Sequence, residues 1–194
     1  MAPQRILQAN LNHTTASQDV FLHIVAEQGC NLGVAAKPYR VSPNNALWAG
    51  SRCGSVAITW RQTRDPVPCS KFGVGNGYVV VKWGRVYVAG VYVSPNMDTA
   101  SFERVLDELR ICLMRIPPAH RQILVAGDFN AKSTLWGSPD ATANARGGIL
   151  ELWMAGLGLV LLNSGNAQTC VRLRGGSIID LTWASPSVAR RVRD

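Results

Sequence analysis

The sequence predicts an α+β fold in which helices pack on mixed β-sheets. Two observations carry this. Strand-like apolar runs alternate with helical stripes near both ends of the chain, and residues 46–93 form a succession of short β-rich runs separated by turn residues. A third observation bounds the size. At 194 residues with 47% hydrophobic content, the chain makes one sizeable domain with a real core, spanning residues 1–194, and its composition is not that of a disordered protein.

The elements follow in order. Residues 5–11 read as a first strand. Thr15 and Gln18 have capping-box spacing, and Val20, Phe21, Ile24 and Val25 form a helical stripe ended by Gly29. Residues 32–36 make a short buried strand stopped by Pro38. Runs 53–60, 77–83 and 85–93 read as strands, with turn signals at Asn76-Gly77 and Trp83-Gly84. The glycines at 73, 75 and 77 are too weak a pattern for a phosphate loop and are read as a hairpin turn. The clearest helix is 99–116, with Phe102, Val105, Leu106, Leu109, Leu113 and Ile116 on one face and Pro117-Pro118 as its stop. A strand at 122–126 comes next. A helix at 145–157 turns Ile149, Leu150, Trp153 and Met154 inward, and strands at 159–162, 168–173 and 177–184 complete the pattern. No repeat or linker interrupts it.

Charge narrows the partners. Lysine and arginine number 20 against 12 acids, a net charge of +8. Residues 31–90 hold eight of the bases, Lys37 and Arg40 among them, against Asp65 alone. Such a field attracts polyanions, and nucleic acid is favoured over merely solvated hairpins. Five scattered cysteines with no Cys-x-x-Cys argue against a disulfide framework and a zinc site, and suit reduced thiols in a cytosolic or nuclear protein. The first residues have no signal-peptide core, and the apolar span 79–93 is broken by Lys82 and Arg85, so no membrane helix is expected.

Chemistry concentrates at strand ends. Gly127-Asp128-Phe129-Asn130 follows an apolar strand, and alternation would put Asp128 and Asn130 on one face with Phe129 in the core. The carboxylate suits Mg²⁺ or a general base, and the amide suits a phosphate oxygen. Capping of a turn by the same two residues is an equal reading of this stretch alone. Asn10 and Asn12 repeat the spacing, Tyr92 and Asn96 close another strand, and Asp180 lies within an apolar one.

Taken in order, Gln8-Ala-Asn-Leu-Asn12, Tyr92-Val-Ser-Pro-Asn96, Gly127-Asp-Phe-Asn130 and Ile179-Asp-Leu-Thr182 resemble the exonuclease–endonuclease–phosphatase superfamily, which includes pancreatic deoxyribonuclease and the apurinic/apyrimidinic endonucleases. The longer wording, from Gly127 through Ser138 with Asn144-Ala-Arg-Gly-Gly-Ile-Leu-Glu151 downstream, more specifically resembles the endonuclease domain of arthropod non-long-terminal-repeat retrotransposons, those that insert into ribosomal genes or telomeric repeats. The resemblance implies a four-layer α/β sandwich of two mixed β-sheets flanked by helices. It implies that Asn10 contacts a metal or the scissile phosphate, with Asn12 beside it. Tyr92 would donate to the phosphate, and Asp128 would position or deprotonate the attacking water. Asn130 would orient the phosphate, and Asp180 would hold a histidine in its tautomer. The implied reaction is Mg²⁺- or Mn²⁺-assisted nicking of double-stranded DNA. The 3′-hydroxyl it leaves primes reverse transcription by a downstream domain of the same polyprotein, in the nucleus after synthesis in the cytoplasm.

Two departures stand out. Where the superfamily places a metal-binding glutamate before Pro-Tyr, this chain has Lys37. A protonated lysine cannot ligate a cation, so the site binds metal poorly or Lys37 occupies the metal's place electrostatically. The superfamily's closing Ser-Asp-His is not reached by Asp194, so the expectation is a domain lacking its last strand or strands, with Asp180 short of its histidine. His13, His23 and His120 read as structural or surface residues. The expected outcome is weak nicking or none. The alternatives are a DNA-targeting module without catalysis, or a phosphatase of the same superfamily. Lys132, Ser133 and Asn96 are candidates for DNA contact, Trp136 for core packing beneath the loop, and residues 61–71 for a minor-groove hairpin.

Overall fold

A computed structural model describes residues 3–136, 143–165, 167–172 and 175–193. It forms two units, Met1–Tyr92 and Val93–Asp194.

In the first unit, β1 (Ile6–Asn10) leads into α1 (Thr15–Glu27). The helix cap is Thr14, one residue earlier than expected, and its side chain accepts the Ser17 N–H at 3.1 Å. Gln18 does not complete a capping box. Its Oε1 accepts the N–H groups of Tyr39 (2.8 Å) and Arg40 (3.2 Å), and its Nε2 donates to the Arg40 carbonyl, so it clamps the turn at residues 38–40. β2 (Leu32–Ala36), β3 (Trp48–Gly50) and β4 (Val56–Trp60) join β1 in a sheet of order β1-β2-β4-β3, parallel between β1 and β2 and antiparallel elsewhere. Every residue of β2 is buried because the sheet is covered on both faces. Phe21 and Val25 of α1 share one cluster with Ala35, Trp48 and Ala57. Val34 and Ile58 point the other way, where a Cβ on Gly90 would lie 3.2 and 3.1 Å from them.

That second layer is an antiparallel meander of β5 (Cys69–Gly75), β6 (Tyr78–Trp83) and β7 (Val86–Tyr92). The β6–β7 loop has two residues, and its first, Gly84, takes φ +58, as a type II′ turn requires. β3 and β5 were not expected. β3 is only three residues long, and β5 carries polar, exposed Ser70 and Lys71 with a register irregularity between Lys71 and Gly73. The glycines at 73 and 75 belong to a strand, and only Gly77 sits in the turn.

The second unit opens with α2 (Thr99–Met114), capped by Asp98, whose carboxylate accepts Ser101 N–H (2.9 Å) and Oγ–H (2.7 Å). The expected stripe Phe102, Val105, Leu106, Leu109 and Leu113 is buried, joined by Cys112. β8 (Ile123–Asp128) is buried throughout and runs two residues past its expected end. α3 (Ala145–Gly156) is tied to α2 by the Trp153 indole, which donates to the Leu106 carbonyl at 2.9 Å. β9 (Val160–Leu161) is followed by a small antiparallel hairpin, β10 (Cys170–Arg172) and β11 (Gly175–Ser177), and then by β12 (Asp180–Ala184). β12 pairs antiparallel with both β8 and β9. Pro186–Ala189 form a short helix, α4, where the sequence offered only a basic stretch. Among the described residues no helix is long and apolar enough to cross a membrane.

Candidate active-site strand ends

In the first unit, the parallel strands β1 and β2 end side by side. The Asn10 side-chain oxygen accepts the Asn12 N–H (3.1 Å), closing an Asx turn around Leu11, which is buried. Leu11 N donates to Ala36 O (2.8 Å), and His13 N donates to Lys37 O (2.8 Å). Lys37 N in turn donates to Ser55 O (2.7 Å) on the neighbouring turn. The Lys37 ammonium donates to the Asn12 side-chain oxygen. His13 Nδ1 lies 3.0 Å from the Pro38 carbonyl, which can only accept, so Nδ1 carries a proton.

Backbone strain marks these positions. Asn12 (φ +47), His13 (φ +58), Lys37 (φ +50) and Asn130 (φ +47) are the non-glycine residues with positive φ among those described. All four lie just past strand ends, and left-handed backbone at such residues costs on the order of 1 kcal/mol each.

Tyr92, half-buried at the end of β7, donates its N–H to Gly77 O at 2.9 Å. The Gly77 N–H points at Cys53 Sγ (3.2 Å), which also lies 3.0 Å from Ser55 Oγ and 3.7 Å from Ser51 Oγ. Burial works to raise this thiol, but hydrogen bonds from Ser55, Gly77 and Ser51 outweigh it and leave its pKa below the ordinary cysteine value. Nothing in the sequence singled out Cys53, because Ser51 and Ser55 of its own turn are joined by the Gly77 N–H from a second turn 24 residues away.

The second unit repeats the turn. Asp128, 2% exposed, ends β8, and its Oδ1 accepts the Asn130 N–H at 3.1 Å. Phe129 between them is fully buried and donates its N–H to Ile179 O (3.0 Å). Strand alternation is therefore not what aims Asn130. The strand stops at Asp128, and a left-handed residue in a turn carries the amide, whose Nδ2 donates to Val93 O (2.9 Å). Asp180 stands opposite Asp128 in the β8–β12 ladder. Its backbone is held by Thr169 Oγ1, which accepts the N–H groups of Ile179 (3.0 Å) and Asp180 (3.1 Å), and by Asn163, whose Nδ2 donates to Asp180 O (3.0 Å).

The segment Asn144-Ala-Arg-Gly147 braces the surrounding loops. Asn144 caps α3 by accepting Gly147 N–H (2.9 Å) and also accepts Lys132 N–H (3.2 Å). A Cβ on Gly147 would lie 2.1 Å from the Lys132 carbonyl oxygen, so only glycine fits. Arg146 is buried over the Phe102 ring and donates to the carbonyls of Ser94 (2.9 Å), Pro95 (3.3 Å) and Met97, fixing the loop that carries Asn96. Lys132 and Asn96 are exposed. Ser133, by contrast, is buried. It is 2% exposed, and its hydroxyl accepts Leu135 N–H (3.0 Å), so it holds the loop from within. Trp136 is buried as expected, edge-on to Trp183 at 5.8 Å between centroids.

The residues present do not fit a divalent cation at the position where the resemblance expects a glutamate. Lys37 stands there with its ammonium bonded to Asn12, and among the described residues no three His, Cys, Asp or Glu side chains gather as a metal site.

The architecture is two mixed β-sheets flanked by helices, the fold of the apurinic/apyrimidinic-endonuclease-like nucleases. The endonuclease domain of TRAS1, a telomere-specific non-LTR retrotransposon, matches with a TM-score of 0.79 at 24% identity, over 95% of this chain and 86% of that one. A 3′-5′ exonuclease (NExo) from Neisseria meningitidis matches at 0.68 and 17%, over 97% of this chain and 90% of its own. An AP endonuclease from Archaeoglobus fulgidus matches at 0.71 and 16%, over 99% and 90%. The model of the endonuclease-reverse transcriptase family matches residues 86–194, more than half of the chain, and the chain belongs to that family. No curated protein matches it.

Proposed function

We propose that this chain is the DNA-nicking endonuclease domain of a non-LTR retrotransposon. It would act on double-stranded DNA in the nucleus, and the 3′-hydroxyl it leaves would prime reverse transcription by a downstream domain of the same polyprotein. The observation that carries the reading is the end of β8, where buried Asp128 faces Asp180 across the ladder and Asn130 follows in a left-handed turn. A carboxylate fixed by a backbone N–H beside a second carboxylate is a proton acceptor for an attacking water. The basic first unit supplies the attraction for DNA, with nine lysines and arginines against three acids in residues 1–92. Asn10 and Tyr92 are assigned to contact the phosphate, and Asn130 to orient it.

The relatives implied by the sequence use Mg²⁺ or Mn²⁺. Lys37 in place of the expected glutamate argues that nicking by this chain is feeble. Relaxation of supercoiled plasmid in Mg²⁺ tests the reading. The expected result is slow nicking, lost in Asp128→Asn and accelerated in Lys37→Glu. Salt-dependent duplex binding with no nicking in either the parent or Lys37→Glu would favour a targeting module without catalysis. Release of phosphate from monoesters without DNA nicking would favour a phosphatase.

A further inference from the structure

We propose that Lys37 is a phosphate ligand. Held by Asn12 at the joint end of β1 and β2, its ammonium binds a backbone phosphate of duplex DNA with no divalent cation. This rests on the DNA-directed reading above and deepens it.

The geometry around Lys37 is that of an anion site. An ammonium has three N–H donors. One is given to the Asn12 side-chain oxygen, which fixes the head group and leaves donors for further acceptors. The main chain is fixed as well, with Lys37 N–H bonded to Ser55 O and Lys37 O bonded to His13 N–H. The Lys37 ammonium bonds a neutral amide and its main chain bonds main-chain groups, and Lys37 makes no salt bridge among the described residues. Its charge is thus oriented but not neutralised. A cation-binding site has the reverse polarity, with converging oxygen donors and net negative charge.

Strain points the same way. Lys37, Asn12 and His13 are all left-handed, a conformation that glycine would adopt more readily. Side chains kept at strained positions and bonded to one another are the pattern of a pre-organised site. Next to Lys37, a cleft of about 330 Å³ begins at Pro38 and is lined by Arg40, Ser51 and Lys71, so further cations follow the first. An ammonium binds phosphate as a compact point charge, needs no metal, and contributes about one released counterion to the salt dependence of binding.

The experiment is fluorescence anisotropy of a labelled duplex over a salt series, in EDTA and in Mg²⁺, with thermal melting of each variant. The parent chain is expected to bind equally in both buffers. Lys37→Gly removes the ammonium and relieves the left-handed strain. It should melt at or above the parent temperature, bind about tenfold more weakly and lower the salt slope by about one. Lys37→Arg should keep affinity and slope. Asn12→Asp, which offers the ammonium a carboxylate, should weaken binding without lowering the melting temperature. Parent binding that requires Mg²⁺, or Lys37→Gly with parental affinity and slope, overturns the assignment and leaves the nuclease reading standing. A parent chain that binds no duplex in either buffer overturns both.

Discussion

Asp128 and Asp180 are direct partners in the antiparallel ladder between β8 and β12, so two carboxylates share one face of the strands where β8 ends. Residues so paired have Cβ atoms about 4.5–5.5 Å apart, and like charges there oppose folding by a few tenths to about 1 kcal/mol. Asp180→Asn should therefore raise the melting temperature at low salt by up to about 2–4 °C, and added salt should shrink the gain. Differential scanning calorimetry of the pair decides it. A variant that melts lower than the parent shows that Asp180 is held mainly by favourable partners.

Arg146 should be the costliest surface-loop brace to remove. Its guanidinium serves three carbonyls, at Ser94, Pro95 and Met97, and covers the Phe102 ring. Arg146→Met keeps length and loses every donor, leaving carbonyls without their partner. The expected loss is roughly 2–4 kcal/mol in urea denaturation. Arg146→Lys should recover less than half, since one ammonium cannot span the three acceptors.

Two adjacent glycines should respond with opposite sign. In Gly147→Ala the new methyl would meet the Lys132 carbonyl at 2.1 Å, and overpacking against backbone should cost about 1–3 kcal/mol. A Cβ on Gly148 meets nothing within 4 Å, and in a helix Gly148→Ala should add roughly 0.5–1 kcal/mol. Equilibrium unfolding of both variants checks the sign and the contrast.

The cysteines should separate by pH. The hydrogen bonds to Cys53 favour its thiolate, whereas burial pushes the Cys69 thiol up to about 12 and raises that of Cys112. The thiolate is the reactive form. As pH falls from the alkaline side, labelling by iodoacetamide should persist longest at Cys53, with Cys69 and Cys112 already unreactive. Mass spectrometry of peptides from a timed reaction measures the order, and Cys69 reacting before Cys53 would contradict it.

The sequence made the long, regular elements legible because their periodicity reports burial directly. The stripe of α2 and the buried run of β2 follow from apolar spacing, whereas of the expected inward face of α3 Leu150 and Met154 are buried and Ile149 and Trp153 only half-buried. β3 and β5 stayed hidden because edge strands take their order from neighbours rather than from their own residues, and Cys-Ser-Lys-Phe-Gly-Val-Gly has little strand character. At the site, Asp128, Asn130, Asn10 and Asn12 stood out by residue type and spacing. How Asn130 is aimed did not, since alternation along a strand cannot anticipate a left-handed residue just beyond it. Lys37 was visible as a substitution, but its bond to Asn12 depends on pairing across 25 positions. The role of Arg146 was not legible in Asn144-Ala-Arg-Gly147, because its acceptors are backbone carbonyls about 50 residues away.

The two Asx turns, Asn10 to Asn12 and Asp128 to Asn130, also act as stops on strand register. Each ends its strand with one buried residue followed by one left-handed asparagine. If β8 slipped by one residue against β12, either Phe129 would have to adopt the left-handed backbone or Asn130 would replace it in the core. Both errors are expensive, so misaligned pairings are rejected during folding as well as after it. Fidelity of assembly is thereby written into the same few residues proposed for the chemistry, and a substitution such as Asn130→Gly would relax that proofreading even where the finished fold accepts it.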